Sequence, residues 1–407
     1  MKFHLIAFGV PIIFTIIGLE YYFSQRKGKK YFSFTSSISN ISIGIAERLA
    51  QLFLAGYFIL VFQFVYDHFA IFHIKQNTYT WILLFFLTDL IWYWYHRLSH
   101  EVNILWGAHI VHHSSEEYNY TVSLRITIYQ SFIRLGFGLL LPIIGFPVPM
   151  LLISITVLGI YQFFIHTRFV KSLGFLETIF VTPSNHRVHH GSNEIYLDKN
   201  YGGILIIWDK LFGTYQSETE EVRYGLTKQV KSNSFLWLHF HYWLELIEHV
   251  KASVGIANKI KILFGSPSKL KLTYEKKLRN KYLSETNLAS SQINKENYPQ
   301  LYYYIEAQLL FSLALLFVMY LIDLPAFTNF LFSVIITTTI INCGAILEQK
   351  KWVFKIEILR FIAVYILIVL FTKQIFLYAF APVILMFFIE DYRLFKHLYF
   401  KRLYKRK

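Results

Sequence analysis

Eight of the sixteen histidines fall in three short clusters. His96 and His100 lie in HRLSH, His109, His112 and His113 in HIVHH, and His186, His189 and His190 in HRVHH. Imidazole is a good ligand for iron, zinc and copper, and helical residues three or four apart share a face, so each box can aim two or three nitrogens at one point. Eight neutral nitrogens exceed what a tetrahedral ion takes, and the pattern predicts two ions. A single histidine would read as an interfacial side chain, whereas three boxes at these spacings favour a metal site. The one cysteine, Cys343, lies deep in an apolar run, which excludes iron–sulfur and thiolate sites and a disulfide framework.

Two ferrous ions held at a membrane face can use dioxygen to attack an unactivated lipid C–H bond, with the protein fixing ligands and orientation. The substrate chain would enter from the bilayer. His166 closes an apolar run four residues after Gln162, which makes His166 a candidate ninth ligand and Gln162 a weaker one. Asp89 shares a helix face with Tyr93 and His96, and a carboxylate inside a span is a functional hypothesis by default. It either accepts the free N–H of a ligand histidine or pairs with an arginine such as Arg125. Glu101, directly after His100, reads from the residues alone as a helix cap or ion-pair partner. The Asp198 to Gly203 and Trp208 to Lys210 runs combine turn residues with amphipathic aromatics. Trp208 and Phe212 can pack a short helix on the membrane surface or cover the metal site.

The elements that must position these residues are membrane helices. With 55% hydrophobic, 19% aromatic and 16% charged residues over 407 positions, the chain is too apolar for a soluble protein of its length. Spans of about 20 apolar residues are expected at roughly Phe3 to Phe23, Ile41 to Tyr66, Tyr79 to Tyr95, Ile126 to Phe146, Val148 to His166, Tyr302 to Ile322, Phe327 to Leu347, Val353 to Phe371 and Ile375 to Ile389. The fold class is therefore all-α and polytopic, with about nine spans. The first is read as a retained span, and the pair around Gly145 to Pro149 as a hairpin that need not fully cross. Three sections follow: a histidine-box membrane domain over 1–250, a polar interfacial linker over 251–300, and a four-span region over 301–407.

Basic residues set the orientation. With the amino terminus outside, inside loops hold Arg26, Lys27, Lys29, Lys30, Lys350, Lys351 and the tail from Arg393 to Lys407, while outside loops keep Lys2, Lys75 and Lys373. The boxes and the carboxy terminus then face the cytoplasm. Orientation and anionic lipid account for the formal charge of +15, so no nucleic-acid partner is expected.

The strings HRLSHEVN, WGAHIVHHSSEEYN, SLR, YQFFIHT, TPSNHRVHHG and DKNYGGILIIWDKLFGTYQSETEEVRYGLT resemble the fatty acid hydroxylase and sterol desaturase superfamily, and most closely its alkylglycerol monooxygenase branch. The resemblance runs from about Asp89 to Thr227. It implies two iron ions on the eight box histidines, O2 as co-substrate and a tetrahydropterin as reductant. Hydroxylation beside a glyceryl ether oxygen would give a hemiacetal that collapses to a fatty aldehyde and glycerol. It also implies that Glu101 is a functional acid. Glu116, Tyr118 and Asn119 follow the second box, where they line a pterin or head-group site or are simply polar surface. Other lipids (a fatty acyl, sterol or carotenoid chain) remain alternative substrates. A metal transporter or sensor is a remote alternative, because transport sites sit near the midplane whereas these boxes gather at one face. No cytochrome or flavin segment is recognisable, so electrons are expected from a diffusible reductant or a separate donor protein.

Overall fold

A computed structural model of the protein describes residues 4–270, 273–283, 298–373, 382 and 390–404. Among them the architecture is all-helical, with isolated bridges pairing Phe180 with Leu205 and Gly191 with Tyr224 in place of strands. The chain divides into two compact units.

The unit bearing the boxes comprises Phe14–Lys231 and Leu238–Asn280. Its helices are α1 (Gly9–Arg26, which begins in the other unit), α2 (Phe34–Phe69), α3 (Thr78–Glu101), α4 (Asn103–His113), α5 (Tyr120–Ser123), α6 (Ile128–Gly138), α7 (Leu140–Ile144), α8 (Val148–Phe164), α9 (Pro183–His189), α10 (Ile207–Leu211), α11 (Phe235–Ala252, which also begins in the other unit), α12 (Ile256–Phe264) and α13 (Glu275–Leu283, which ends in it). The sequence starts α3 with a capping box: Asn77 Oδ1 accepts the Thr80 N–H at 3.0 Å and Thr80 Oγ1 accepts the Asn77 N–H at 2.9 Å. Its 24 residues reach about 36 Å, with His96 and His100 in the last turns. Val102 then breaks the helix in extended backbone, and α4 leaves in a new direction.

The buried centre of this unit is Phe62, Leu84, Leu141, Phe146, Met150 and Leu151, contributed by α2, α3, α7, α8 and the turn before α8. At that turn Gly145 has φ +117°, and a Cβ there would lie 1.8 Å from the Phe72 carbonyl oxygen, so only glycine fits. The turn is pinned by Ile71 and Phe72, whose N–H groups donate to the carbonyls of Ile143 and Ile144. The expected hairpin is thus a broken arm, α6 and α7, folded back on the 17-residue α8.

The other unit comprises Met1–Ile13, Ser232–Trp237 and Lys281–Lys407, with α14 (Pro299–Leu321), α15 (Ala326–Leu347), α16 (Val353–Thr372) and α17 (Tyr392–Tyr404). Glu357 is buried there on Arg360, with Tyr304 donating to it at 2.6 Å and Asn342 at 2.6 Å. Among the described residues α2, α14 and α15 are long and apolar enough to cross a membrane. Large apolar side chains on α2, such as Tyr57, Leu60 and Phe64, are exposed, as a lipid-facing helix requires. This is a membrane protein. The expected span Ile375 to Ile389 lies outside the described residues. The polar stretch after Lys251 forms α12 and α13, and its described part up to Asn280 belongs to the box-bearing unit.

Candidate metal centre

The three boxes ride on three helices. His96 and His100 end α3, His109, His112 and His113 end α4, and His186 and His189 end α9 with His190 at its cap. The sequence builds α9 from Thr182, whose Oγ1 accepts the Asn185 N–H, followed by Pro183 in the first turn. His166 follows α8. These nine side chains converge as two groups, His96, His100, His109, His113 and His189 in one, and His112, His166, His186 and His190 in the other. Within each group the candidate ligand atoms all lie within 4.8 Å of one another. Every i, i+4 pair stays within one group, while His112 and His189, at the fourth position of their boxes, cross to the other.

Main-chain carbonyls fix the ring tautomers. His96 Nδ1 lies 2.9 Å from the Tyr201 oxygen, His189 Nδ1 2.9 Å from Lys199 and His166 Nδ1 2.6 Å from Gln162. A carbonyl only accepts, so each Nδ1 carries the proton and each Nε2 presents a lone pair. His109 Nδ1 meets the Gln130 side-chain amide, whose oxygen has no other partner and accepts the proton when turned to the ring. His96 and His109 therefore face each other through bare Nε2 atoms 3.2 Å apart. Other Nε2 pairs are 3.1 Å (His109 and His113), 3.3 Å (His112 and His166) and 3.1 Å (His166 and His186). Facing lone pairs repel unless a cation lies between them. Cis ligands at a metal–nitrogen distance of about 2.1 Å stand about 3.0 Å apart in an octahedron and about 3.4 Å in a tetrahedron, which brackets the observed spacings. Buried His100 Nε2, His189 Nε2 and His190 Nε2 have no hydrogen-bond partner in the protein. The donor set fits divalent first-row ions.

Burial, reinforced by neighbouring imidazoles, holds His109, His112, His113, His186 and His190 well below the usual histidine range. Burial brings His189 down to about 4. The rings are neutral at physiological pH, as ligation requires.

A loop over 198–206 holds the site together. Asp198 and Asn200 adopt left-handed backbone (φ +58° and +56°). Asn200 Nδ2 donates to the Asn185 and Gln216 carbonyls at 3.0 and 2.7 Å. Asp209 accepts the N–H groups of Tyr201 (2.7 Å) and Gly202 (2.8 Å) and the Thr214 hydroxyl (2.7 Å). Burial pushes its carboxyl up to about 6 against those hydrogen bonds.

Several expected roles change here. Asp89 takes neither a histidine N–H nor Arg125. Its oxygens accept the N–H groups of Ile204 (2.6 Å) and Leu205 (3.0 Å) and the Trp208 indole (2.9 Å), because the loop reaches it first. Arg125 donates to the Val111 carbonyl (2.6 Å), Asn40 (2.8 Å) and Ser114 (2.8 Å), closing the end of α4. Glu101 forms an i, i+4 ion pair with Arg97 at 2.9 Å, the ion-pair reading of the residues. Gln162 donates its side-chain amide to the Gly203 carbonyl and stands behind His166 as support. Glu116, Tyr118 and Asn119, expected to line a pterin or head-group site or to be polar surface, take three different settings. Glu116 is exposed. Tyr118 is buried, donates to the Ile165 carbonyl at 3.0 Å and stacks on His166 and Tyr224. Asn119 caps α5 and donates to the Tyr31 carbonyl at 2.6 Å. Trp208 is half-buried with its indole on Asp89, and Phe212, though 36% exposed, stacks on Tyr93 at 5.2 Å.

Residues 81–214, which hold all nine histidines together with Asp89 and Asp209, match the sequence model of the Fatty acid hydroxylase family. That stretch is a fatty acid hydroxylase domain. Over a longer stretch the chain is similar to proteins called alkylglycerol monooxygenase. The human protein is 36% identical over 261 residues, covering 64% of this chain and 58% of its own length. The Danio rerio protein is 40% identical over 231 residues (56% and 52%), and the Xenopus tropicalis protein 36% over 235 residues (56% and 52%). The chain thus spans little more than half the length of these curated relatives. No solved structure matches it.

Sequence reasoning missed Asp209, Gln130 and the Arg187–Glu218 pair (2.6 Å) that braces the third box. Arg187 sits inside HRVHH, and its charge among metal ligands was a usable signal.

Proposed function

We propose that this chain is a membrane di-iron monooxygenase that hydroxylates a lipid C–H bond, cleaving glyceryl ethers to a fatty aldehyde and a glycerol derivative. The observation that carries the reading is the pairing of two all-histidine groups, each with its candidate ligand atoms within 4.8 Å of one another, in which His100, His189 and His190 Nε2 have no hydrogen-bond partner. In this reading His96, His100, His109, His113 and His189 hold one ion, and His112, His166, His186 and His190 the other. When bound, the two irons supply the redox chemistry that splits dioxygen and replaces a C–H hydrogen by hydroxyl.

The protein's own residues then have defined tasks. The carbonyls of Tyr201, Lys199 and Gln162 keep the Nδ1 protons of His96, His189 and His166, which leaves each Nε2 free to ligate. Asp209 and Asp89 hold the 201–205 backbone in place from its two sides. The buried setting of the rings excludes bulk water from the donors. In the balanced reaction the ether R–CH2–O–R′ takes one oxygen atom from O2. The other leaves as water, with two electrons and two protons from a tetrahydropterin. The resulting hemiacetal breaks its C–O bond to the glycerol oxygen, which takes the hydroxyl proton as the aldehyde leaves.

The basic loops, with Arg26 to Lys30 and Lys350 and Lys351, place the boxes on the cytoplasmic side in this reading, the amino terminus opposite. Reducing conditions there favour ferrous ions. The test is aldehyde release by iron-loaded, detergent-purified protein given an alkylglycerol, dioxygen and a tetrahydropterin. Activity lost in His112→Ala with the fold retained supports the reading. Equal activity in that variant overturns the site.

A further inference from the structure

The helix α12 (Ile256–Phe264) carries an apolar stripe on the outside of the box-bearing unit. At about 100° per residue, Ile256, Ala257, Ile260 and Phe264 fall in one arc. Ile256 is 73% exposed, Ile260 51%, Phe264 61% and the preceding Val254 86%. Lys259 and Lys261 border this arc on opposite sides. From Lys251 to Tyr274 inclusive there are five lysines and no acidic residue. The other side of α12 is fixed to the protein: the Asn103 N–H donates to the Gly265 carbonyl at 2.9 Å, Asn103 Nδ2 to the Ile262 carbonyl at 2.8 Å, and Tyr242 donates to Asn103 Oδ1 at 2.6 Å. The stripe is therefore held outward by a rigid attachment to the first residue of α4, the helix that bears the second box.

We infer that α12 is a membrane-surface anchor. It lies along the bilayer interface with Ile256, Ile260 and Phe264 in the acyl boundary and Lys259 and Lys261 against anionic phosphates. A stripe of three large apolar side chains flanked by cations matches the order of a leaflet, chains below and phosphates at the rim, and long lysine stems suit that height. The uniform positive charge of the surrounding stretch favours an anionic lipid surface over an acid-balanced protein face. Through Asn103 the depth of α12 sets the height of α4 and of His109, His112 and His113 relative to the lipid.

The experiment uses the full chain in vesicles, with Cys343→Ala and single cysteines introduced by Ile260→Cys or Asn258→Cys and spin-labelled. Accessibility to oxygen, which partitions into lipid, and to a water-soluble nickel complex is then measured. The expected result is nickel accessibility roughly fivefold lower at 260 than at 258, with oxygen accessibility high at 260. The depth at 260 should be greater in phosphatidylcholine–phosphatidylserine vesicles than in phosphatidylcholine alone, and Lys259→Glu with Lys261→Glu should remove that difference. Equal nickel accessibility at both positions, or a label at 260 shielded from oxygen and nickel alike by a protein cover, would overturn the assignment. So would a depth indifferent to lipid charge. None of these readouts depends on enzymatic turnover.

Discussion

The carbonyl oxygen of Tyr201 stands 2.9 Å from His96 Nδ1 while the same residue's N–H is held at 2.7 Å by Asp209. One peptide segment thus links a buried carboxylate to a candidate ligand, although the carboxylate never touches the imidazole. Partners behind ligand histidines commonly change metal affinity by about 10–100-fold. Asp209→Ala should weaken metal retention in the five-histidine group by about tenfold with the four-histidine group largely spared. Metal content after dialysis against graded chelator reads this, and identical retention curves for variant and parent would refute it.

Asp209 also makes a pH prediction. Its carboxyl is raised from 3.8 to about 6 by burial, so between those values the native state holds a proton that the unfolded chain has released. The associated stability is fully present below the unfolded value and is lost as pH rises through about 6. Arg97 on α3 is the charged neighbour that favours the ionised form. Relative to Asp209→Asn, metal-free parent protein should gain melting temperature on going from pH 7 to pH 5, through a difference of order 3 kcal/mol at most. A parent-minus-variant difference that is flat, or that falls toward acid, would contradict the sign.

Gly203 tests the contact on the other side of the loop. A Cβ built there lies 2.5 Å from Asp89 Oδ1 and 2.8 Å from the Trp92 ring, both in buried surroundings. Gly203→Ala should cost about 2 kcal/mol through overpacking and displace the Ile204 and Leu205 N–H groups from Asp89. Thermal melting of detergent-solubilised protein measures it. An unchanged melting temperature would mean that the loop stands off from Asp89.

Much of this site was legible because ligands repeat at helical intervals: the three boxes and His166 declare themselves by spacing and chemistry. How nine rings divide between two groups was not legible, since His112 and His189 cross between them only once α4 and α9 are packed. Asp89 was recognised as functional from its cost inside a span, yet its partners come from a loop more than a hundred residues away. The partners of Tyr118 and Asn119 were not legible, because the carbonyls of Ile165 and Tyr31 come from segments distant in the chain. Asp209 and Gln130 are single polar residues with no periodic signal. In the fold, hydropathy located the long helices, whereas the pinning of the Gly145 turn by Ile71 and Phe72 and the attachment of α12 to α4 depend on tertiary hydrogen bonds.

The brace behind the third box makes a separate prediction. Arg187 is 8% exposed and pairs with Glu218, while its remaining N–H groups go to the carbonyls of Thr167, Val170 and Lys171. Ser184, at the start of α9, donates to the same carboxylate at 2.8 Å. Removing one partner of a buried pair leaves an uncompensated charge; because Glu218 keeps 23% exposure, the penalty should be about 2 kcal/mol and less than for a fully buried pair. Glu218→Ala should therefore lower the melting temperature, and Arg187→Met together with Glu218→Ala should recover part of the loss. A double variant no more stable than Glu218→Ala alone would show that the hydrogen bonds to Thr167, Val170 and Lys171 carry the brace instead.

The two groups predict distinct losses of metal. His166 is the sole contribution of the α8 end to the four-histidine group, where His112 and His186 both face it across 3.1–3.3 Å. The five-histidine group draws on α3, α4 and α9 and does not include it. His166→Ala should leave three donors in one group and five in the other, and bound metal should fall from about two ions per chain to about one. His100→Ala leaves four donors in each group, so it should retain about two ions with weaker binding at one of them. Elemental analysis of purified protein counts the ions, and X-ray absorption reports the mean nitrogen number around those that remain, which should rise in His166→Ala as the four-histidine contribution disappears. Loss of both ions in His166→Ala would mean that the nine histidines bind metal as one cooperative unit.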